Sequence, residues 1–421
     1  MTTYPTSSTG RAPRPAPVDA RLWPDIAARP WAPGRARIAR AVLRRASEVA
    51  GFQVRLPDGT TFGAGAGVPV LRVVRPDEFF SRLGADRLIG FGEGWMSGAW
   101  DTDDLPGLLA VMADRLTDLV PEPLQRVRRL VDAPMPEGED PDRHGARRNV
   151  ARHYDLSNEL FAAFLDPTMT YSSALFSPGD DLERAQLRKI DAILDAASVG
   201  RDTHLLEIGS GWGALAVRAA TERSARVTTI TLSAEQRALA QQRVDDAGVA
   251  DRVDVVVRDY RDVEGEFDAI VSVEMIEAVG ERYWPDYFGA LGRLLAPGGR
   301  VGLQAITMPH QHLLNTRRSW GWVHKYIFPG GLIPSTTAIR DHAARDGGLR
   351  VLHRRAFGQH YAETLRLWRE RFLAAEETVA ALGFDHVFRR MWEYYLAYCE
   401  AGFRAGRIDV SQLTLSTGGV R

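Results

Sequence analysis

Leu205-Leu206-Glu207-Ile208-Gly209-Ser210-Gly211-Trp212-Gly213 is the stretch that decides the fold. A strand-like apolar run, residues 204–208, enters a Gly-x-Gly-x-Gly turn and leaves it into a helical run, residues 213–223. Glycines at such a turn permit a tight reversal and let the backbone approach a ligand closely. The third glycine comes one residue too early for the dinucleotide fingerprint Gly-x-Gly-x-x-Gly. Further strand-like runs follow at residues 226–231, 253–257, 267–273 and 300–307. Helical runs lie between them at residues 234–247 and 284–295. Strands alternating with helices of this length predict an α/β fold, a parallel sheet with helices on both faces.

The remainder of the 421 residues sets bounds on function. The 53 basic and 54 acidic residues leave a formal charge of −1, so a global basic field for nucleic acid is absent, although a local basic patch is not excluded. Of those basic residues only Lys189 and Lys325 are lysine. The single cysteine, Cys399, precludes an intrachain disulfide and a cysteine zinc site, and fits a reducing compartment. His310-Gln311-His312 has no acid or third histidine close by and reads as a solvent-facing loop, so no metal site is expected. No apolar run reaches the roughly 18 residues of a spanning helix. Residues 1–17 lack the apolar core of a secretory signal and are expected to be disordered.

Residues 18–131 form a first, mixed α/β unit. Helical patterns fall at residues 36–50 and 76–83 and from Leu105 to about Leu119. Strand-like runs at 52–56 and 68–74 flank the Pro57-Asp58-Gly59 turn, and a glycine-rich segment spans residues 90–100. Residues 132–142 read as a linker, and residues 143–421 as the larger domain. Its tail, residues 362–405, is helical and carries Trp368, Phe372, Trp392, Tyr394, Tyr395 and Tyr398, which are either core or the lining of an apolar site.

An acid before the glycine turn, Glu207, fits the motif of S-adenosylmethionine-dependent methyltransferases, where it helps position the charged amino-acid end of that molecule. The second strand ends Thr231-Leu232-Ser233, with Gln236 after it, where most such enzymes place an acid for the ribose. Asp259-Tyr260 ends the third strand, where a carboxylate can accept from an adenine amino group and a ring can stack on it. A turn-capping acid and a half-buried surface aromatic are the alternatives for these two residues.

Longer motifs carry a more specific resemblance. They are His153-Tyr154-Asp155-Leu156-Ser157-Asn158, Leu165-Asp166-Pro167-Thr168-Met169-Thr170-Tyr171-Ser172-Ser173, Val273-Glu274-Met275-Ile276-Glu277-Ala278-Val279-Gly280, Lys325-Tyr326-Ile327-Phe328-Pro329-Gly330-Gly331 and Phe357-Gly358-Gln359-His360-Tyr361. A weaker echo lies in Gly92-Glu93-Gly94-Trp95-Met96-Ser97-Gly98. In this order they resemble cyclopropane-fatty-acyl-phospholipid synthases and the related mycolic acid methyltransferases, over roughly residues 145–400. The resemblance implies a Rossmann-like class I methyltransferase domain with helical insertions and a sterol-carrier-like N-terminal domain. It implies S-adenosylmethionine as cosubstrate, contacted by Tyr171, Ser172, Gly209, Gly211, Gly213, Thr231, Leu232 and Gln236, and a homodimer. Family members also hold a bicarbonate ion beside the reacting carbon. Glu277, Ile306 and Tyr361 match its surroundings, while Ser173 stands for a cysteine and Gln304 for a histidine.

The implied substrate is the cis double bond of an oleoyl-type phospholipid chain. Methyl transfer leaves a carbocation, which needs a dry pocket, aromatic faces and a base. Candidate aromatics are Tyr361, Tyr283, Trp284, Trp320 and Trp322, and Glu277 is the expected carboxylate. Proton loss after a hydride shift gives a 10-methylene chain, as in tuberculostearic-type lipids, and direct ring closure gives a cyclopropane. The first is favoured here by resemblance to the actinobacterial branch. With no flavin- or nicotinamide-type fingerprint in this chain, reduction of methylene to methyl would fall to a partner reductase. A non-catalytic lipid carrier is the alternative from another class. Arg35 to Arg45, with Arg126, Arg128, Arg129, Arg147 and Arg148, are either solvated helix faces or a patch for anionic head groups. The second option implies a cytoplasmic enzyme peripherally bound to the inner face of the cell membrane.

Overall fold

The computed structural model describes residues 17–115 and 157–417. The linker expected at residues 132–142, the start expected to be disordered (residue 17 apart), the first four residues of the His153 motif, and Arg126 to Arg148 lie outside the described residues.

Five strands called from the sequence lie side by side in one seven-stranded sheet, from its third strand to one edge. They are β5 (His204–Ile208), β6 (Arg226–Thr231), β7 (Val253–Val257), β8 (Phe267–Val273) and β9 (Leu295–Thr307). The apolar side chains of β5 and of most of β8 are buried on both faces, the pattern that a helix-covered parallel sheet requires, while edge strand β7 leaves Val257 half exposed. All are parallel, with Glu207 paired to Thr229 on one side and Val271 on the other. The wholly parallel sheet expected is corrected at one edge. Two further strands, β10 (Leu349–Ala356) and β11 (Asp409–Thr417), add antiparallel, giving the order β10-β11-β9-β8-β5-β6-β7. β11 returns after the helical tail and inserts between β9 and the edge strand β10. The switch in strand order at β5 and β8 opens a crevice at the carboxyl ends of the strands, where α/β sheets bind ligands.

The first unit has a four-stranded sheet, order β2-β1-β3-β4, from β1 (Gln53–Arg55), β2 (Thr61–Gly63), β3 (Val70–Val73) and β4 (Trp100–Asp101). Helices Pro33–Ala50 and Pro76–Met96 pack with it, while helix Leu105–Asp114 packs on Pro33–Ala50 and on helix His386–Arg404. The glycine-rich segment is helical as far as Met96, and the helix is broken at Asp86 and Arg87, where φ of Arg87 is 51°. The glycines serve close packing. A Cβ on Gly90 would lie 2.0 Å from the Arg82 carbonyl oxygen, and one on Gly92 would lie 2.5 Å from Trp322 Cδ1.

This unit shares a hydrophobic core with the helical tail (Gly358–Ala374, Glu376–Ala381 and His386–Arg404). Trp95 Nε1 donates to the Arg390 carbonyl at 3.0 Å, and the Arg390 guanidinium stacks 3.9 Å above the Trp95 ring. Helix Trp322–Tyr326 is held from the same side. Glu93 Oε1 accepts from Lys325 Nζ at 2.7 Å and from the Tyr326 hydroxyl at 2.8 Å, while Arg82 lies against Glu93 Oε2 at 3.5 Å. Two motifs far apart in sequence thus meet at one buried acid.

Candidate active site

A cavity of about 2000 Å³ runs from the glycine turn, across the carboxyl ends of β5, β6 and β8, to the first unit. At its inner end Gly209 and Gly211 have φ of +96° and +48°, which glycine adopts freely; Gly213 (φ +89°), expected at the cofactor, instead packs on Ala240, 3.1 Å from where its Cβ would lie, and does not line the cavity. A Cβ on Gly211 would meet nothing within 4 Å, so the turn leaves open space for a ligand, whereas one on Gly209 would lie 2.7 Å from Met275 Cγ. Glu207, Thr231, Leu232, Gln236, Asp259, Tyr260, Tyr171 and Ser172 all line this cavity. The fit to a nucleoside with a charged amino-acid end is good: a glycine cradle, an acid, hydroxyls and an aromatic ring surround one space.

Each of these residues has its own local cause. Glu207 is buried on β5 and accepts from Thr229 Oγ1 at 2.6 Å, and burial pushes its carboxyl up to about 8. Thr231 Oγ1 donates to Gln236 Oε1 at 2.8 Å and accepts from the Ser233 amide. Ser233 caps the helix that carries Gln236. Tyr171 and Tyr395 hydroxyls lie 2.8 Å apart. Asp259 caps the turn through the Arg261 amide, and both its oxygens accept from the Arg261 guanidinium, at 2.8 and 2.6 Å. An adenine amino group would therefore share Asp259 with Arg261. Tyr260 is buried, with the Arg261 guanidinium 5.4 Å from its ring centroid.

The centre of the cavity wall holds an acid that the sequence reading passed over. Glu274 follows β8 with φ of 52°, a left-handed conformation that turns its side chain back across the strand ends. Its Oε1 accepts from the Ser173 amide at 3.0 Å and from Gln304 Nε2 at 2.8 Å. Its Oε2 accepts from the Tyr361 hydroxyl at 2.8 Å. Gln304 is fixed in turn by Gln412 Nε2, which donates to its Oε1 at 3.0 Å from β11. Burial raises the Glu274 carboxyl above the ordinary range, against the three donors that lower it. Ser173, Gln304 and Tyr361 were expected around bicarbonate. Their donors are engaged by Glu274 instead, so a protein carboxylate fills the place of that anion and the residues do not fit it.

Glu277 stands beside this cluster. Its Oε1 accepts from the Ile306 amide at 2.5 Å, and its Oε2 is buried without a partner among the described residues. Burial, then the neighbouring Glu274 charge, push its carboxyl up to about 8. Of the aromatic candidates, Tyr361 and Trp320 line the cavity. Tyr283, Trp284 and Trp322 do not: Trp284 Nε1 donates to the Ile276 carbonyl, and Trp322 packs on Gly92 and Tyr394. The aromatic tail divides. Trp368, Phe372 and Trp392 are core, and Tyr394, Tyr395 and Tyr398 line the cavity. His310-Gln311-His312 begins a helix, not a loop, and His310 pairs with Ser335 Oγ at 2.8 Å. No cluster with metal-ligand composition occurs among the described residues.

The crevice, the glycine cradle and the strand order define a class I S-adenosylmethionine-dependent methyltransferase. A coclaurine N-methyltransferase shares this fold at 17% identity, with a TM-score of 0.62 over 78% of this chain and 99% of that one. The profile of mycolic acid cyclopropane synthetases matches residues 142–413, and the chain belongs to that family. It is 50% identical over 422 residues to the tuberculostearic acid methyltransferase UfaA1 of Mycobacterium tuberculosis, covering 97% of this chain and 98% of that protein. It is 35% identical over 349 residues to the cyclopropane-fatty-acyl-phospholipid synthase of Escherichia coli K12, covering 83% and 88%. Among solved structures, mycolic acid cyclopropane synthase CmaA1, complexed with SAH and CTAB, aligns at 33% identity with a TM-score of 0.60, over 64% of this chain and 97% of that one.

Proposed function

We propose that this protein methylates the cis double bond of an oleoyl-type phospholipid chain and releases a 10-methylene chain, with Glu274 as the base. The observation that carries this reading is the Glu274 carboxylate, gripped by three donors and facing a cavity that joins the glycine cradle to an aromatic and aliphatic lining. When bound, S-adenosylmethionine supplies an electrophilic methyl group. The cavity wall holds the alkene in line with it, which an isolated double bond needs because it is a weak nucleophile. The low-dielectric lining and the π face of Tyr361 stabilise the cation left on the acyl chain. A hydride moves from the methylated carbon to its neighbour, and Glu274 takes a proton from the new methyl, leaving the exocyclic double bond. The 50% identity to a tuberculostearic acid methyltransferase supports this outcome.

A second reading keeps the same cation and loses the proton as the ring closes, giving a cyclopropane. The likeness to the E. coli synthase favours it. Incubation with labelled S-adenosylmethionine and dioleoyl phosphatidylglycerol, followed by mass spectrometry and proton NMR of the acyl chains, separates the two. Vinylidene protons are expected; ring protons alone would overturn the methylene product, and no label in the lipid would overturn the substrate.

The proposal includes a membrane surface as the source of the lipid, a homodimer, and a separate reductase for the methylene. No helix among the described residues is long and apolar enough to cross a membrane. The cavity lining continues outward to Ile38, Val42 and Leu88, which are 66%, 62% and 44% exposed, with Arg35 and Arg45 beside them. An apolar rim edged with arginine suits a bilayer of anionic lipid.

A further inference from the structure

Lys189 is a buried ammonium that the chemistry above does not use. It sits on helix Leu182–Ala196, is 1% exposed, and lines the inner end of the cavity. Its Nζ lies 2.7 Å from Ser172 Oγ. One turn earlier on the same helix, Gln186 Nε2 donates to the Ser172 carbonyl at 2.8 Å and to the Thr170 carbonyl at 3.3 Å. The helix therefore grips the 170–172 segment twice, once by its backbone and once by the serine hydroxyl.

The polarity of that second contact is fixed by chemistry. An ammonium only donates, so Ser172 Oγ accepts from it. The hydroxyl hydrogen of Ser172 must then go to another acceptor, and none takes it among the described residues. Ser172 lines the cavity. The hydroxyl is thus a donor held toward the cavity, with a positive charge behind it. Such a pair suits an anion with hydrogen-bond-accepting oxygens.

Composition supports a specific need for the smaller cation. In a chain whose basic residues are otherwise all arginine, lysine remains only at 189 and 325. Glu274, Asp166 and Glu207 are the acids facing Lys189 and favour its charged form, while burial pulls its pKa down to about 8. The charges also match a zwitterion. An ammonium at Glu207 would hold that buried acid ionised, and Ser172 backed by Lys189 offers a donor to a carboxylate.

We propose that Lys189 is a positioning residue for the cosubstrate, orienting and polarising the Ser172 hydroxyl so that it binds the carboxylate of the amino-acid end. The inference rests on the S-adenosylmethionine reading and is independent of which lipid product forms. Calorimetric titration with S-adenosylhomocysteine, and with its decarboxylated analogue, tests it without turnover. Lys189→Met should weaken S-adenosylhomocysteine by tenfold or more and change the analogue by less than twofold. Ser172→Ala should show the same selectivity, and the double variant should be no weaker than the worse single one. Equal losses for both ligands would make Lys189 a packing residue and overturn the proposal, as would unchanged binding of S-adenosylhomocysteine. Should Lys189→Met fail to fold, Ser172→Ala alone decides. Failure of the wild-type protein to bind either ligand would instead sink the cosubstrate reading.

Discussion

At the scale of single residues, two acids three positions apart have different work. Glu274 has donors on both oxygens and faces the cavity, which is why it is the base in the proposed reaction. A base acts deprotonated, and burial raises its pKa. Activity should therefore fall as pH drops, along a limb displaced above the ordinary carboxylate range. Glu274→Gln should lower kcat by about 10²-fold or more and abolish that limb. Initial rates from pH 5 to 9, with S-adenosylhomocysteine affinity as the check on integrity, measure both; a loss below threefold would remove Glu274 from the chemistry. Glu274→Gly empties the same place, and added bicarbonate should restore part of the rate.

Glu277 makes a different prediction. Its folded pKa, about 8, lies above the unfolded carboxylate value, so the folded state binds the extra proton between them. Stability from this group is present at low pH and is lost as pH rises from the unfolded value toward 8, by at most about 1.4 kcal/mol per pH unit. Glu277→Gln should flatten the fall in Tm between pH 5 and 8, read by thermal denaturation. An unchanged slope would show that other groups set it.

At the scale of elements, Glu93 ties helix Pro76–Met96 to helix Trp322–Tyr326, whose flanking residues Trp320 and Phe328 line the cavity. Without Glu93, Lys325 keeps Asp25 at 2.8 Å and Arg82 keeps Glu78 at 3.1 Å, so the cost is that of the lost charge-assisted hydrogen bonds, about 1.5–3 kcal/mol. Glu93→Ala should lower stability by that order in urea denaturation and reduce kcat, because one wall of the cavity loses its anchor. Full activity at normal stability would show that the wall holds without it.

Elements were legible in the sequence where local pattern and tertiary burial agree. β5 to β8 are apolar runs bounded by polar turns, and their limits match those read from the sequence. β10 and β11 were missed because their pattern is not apolar. Leu349–Ala356 is an edge strand with exposed Arg and His, and β11 buries Ser411, Gln412 and Thr414. Gln412 is tolerated there because its amide donates to Gln304 Oε1 and to the Lys189 carbonyl, partners that no local window contains. The same reason hid Glu274. Its donors come from residues 173, 304 and 361, and only a left-handed turn after β8 brings them together. The glycine turn was readable because its function is local.

At the scale of the whole molecule, the cavity connects a polar inner end to an apolar rim on the first unit, so both units border the space proposed for the lipid. Helix Pro33–Ala50 carries Arg35, Ile38, Val42 and Arg45 on the stretch that borders the cavity, with Leu88 just beyond the helix break at Arg87. A lipid leaving a bilayer head-last would pass its acyl chain over Ile38 and Val42 while its phosphate stays near the arginines. Each basic residue near an anionic membrane contributes about 1 kcal/mol, and the attraction is screened by salt. Arg35→Glu/Arg45→Glu should therefore weaken sedimentation with phosphatidylglycerol vesicles by about tenfold or more at low salt. The deficit should shrink in 0.5 M salt, and S-adenosylhomocysteine affinity should be unchanged, since the rim lies away from the cradle. Ile38→Ser/Val42→Ser should weaken binding at both salt concentrations, because apolar insertion is not screened. If both pairs bind vesicles as the unaltered protein does, the lipid enters elsewhere and the arginines are only a solvated helix face.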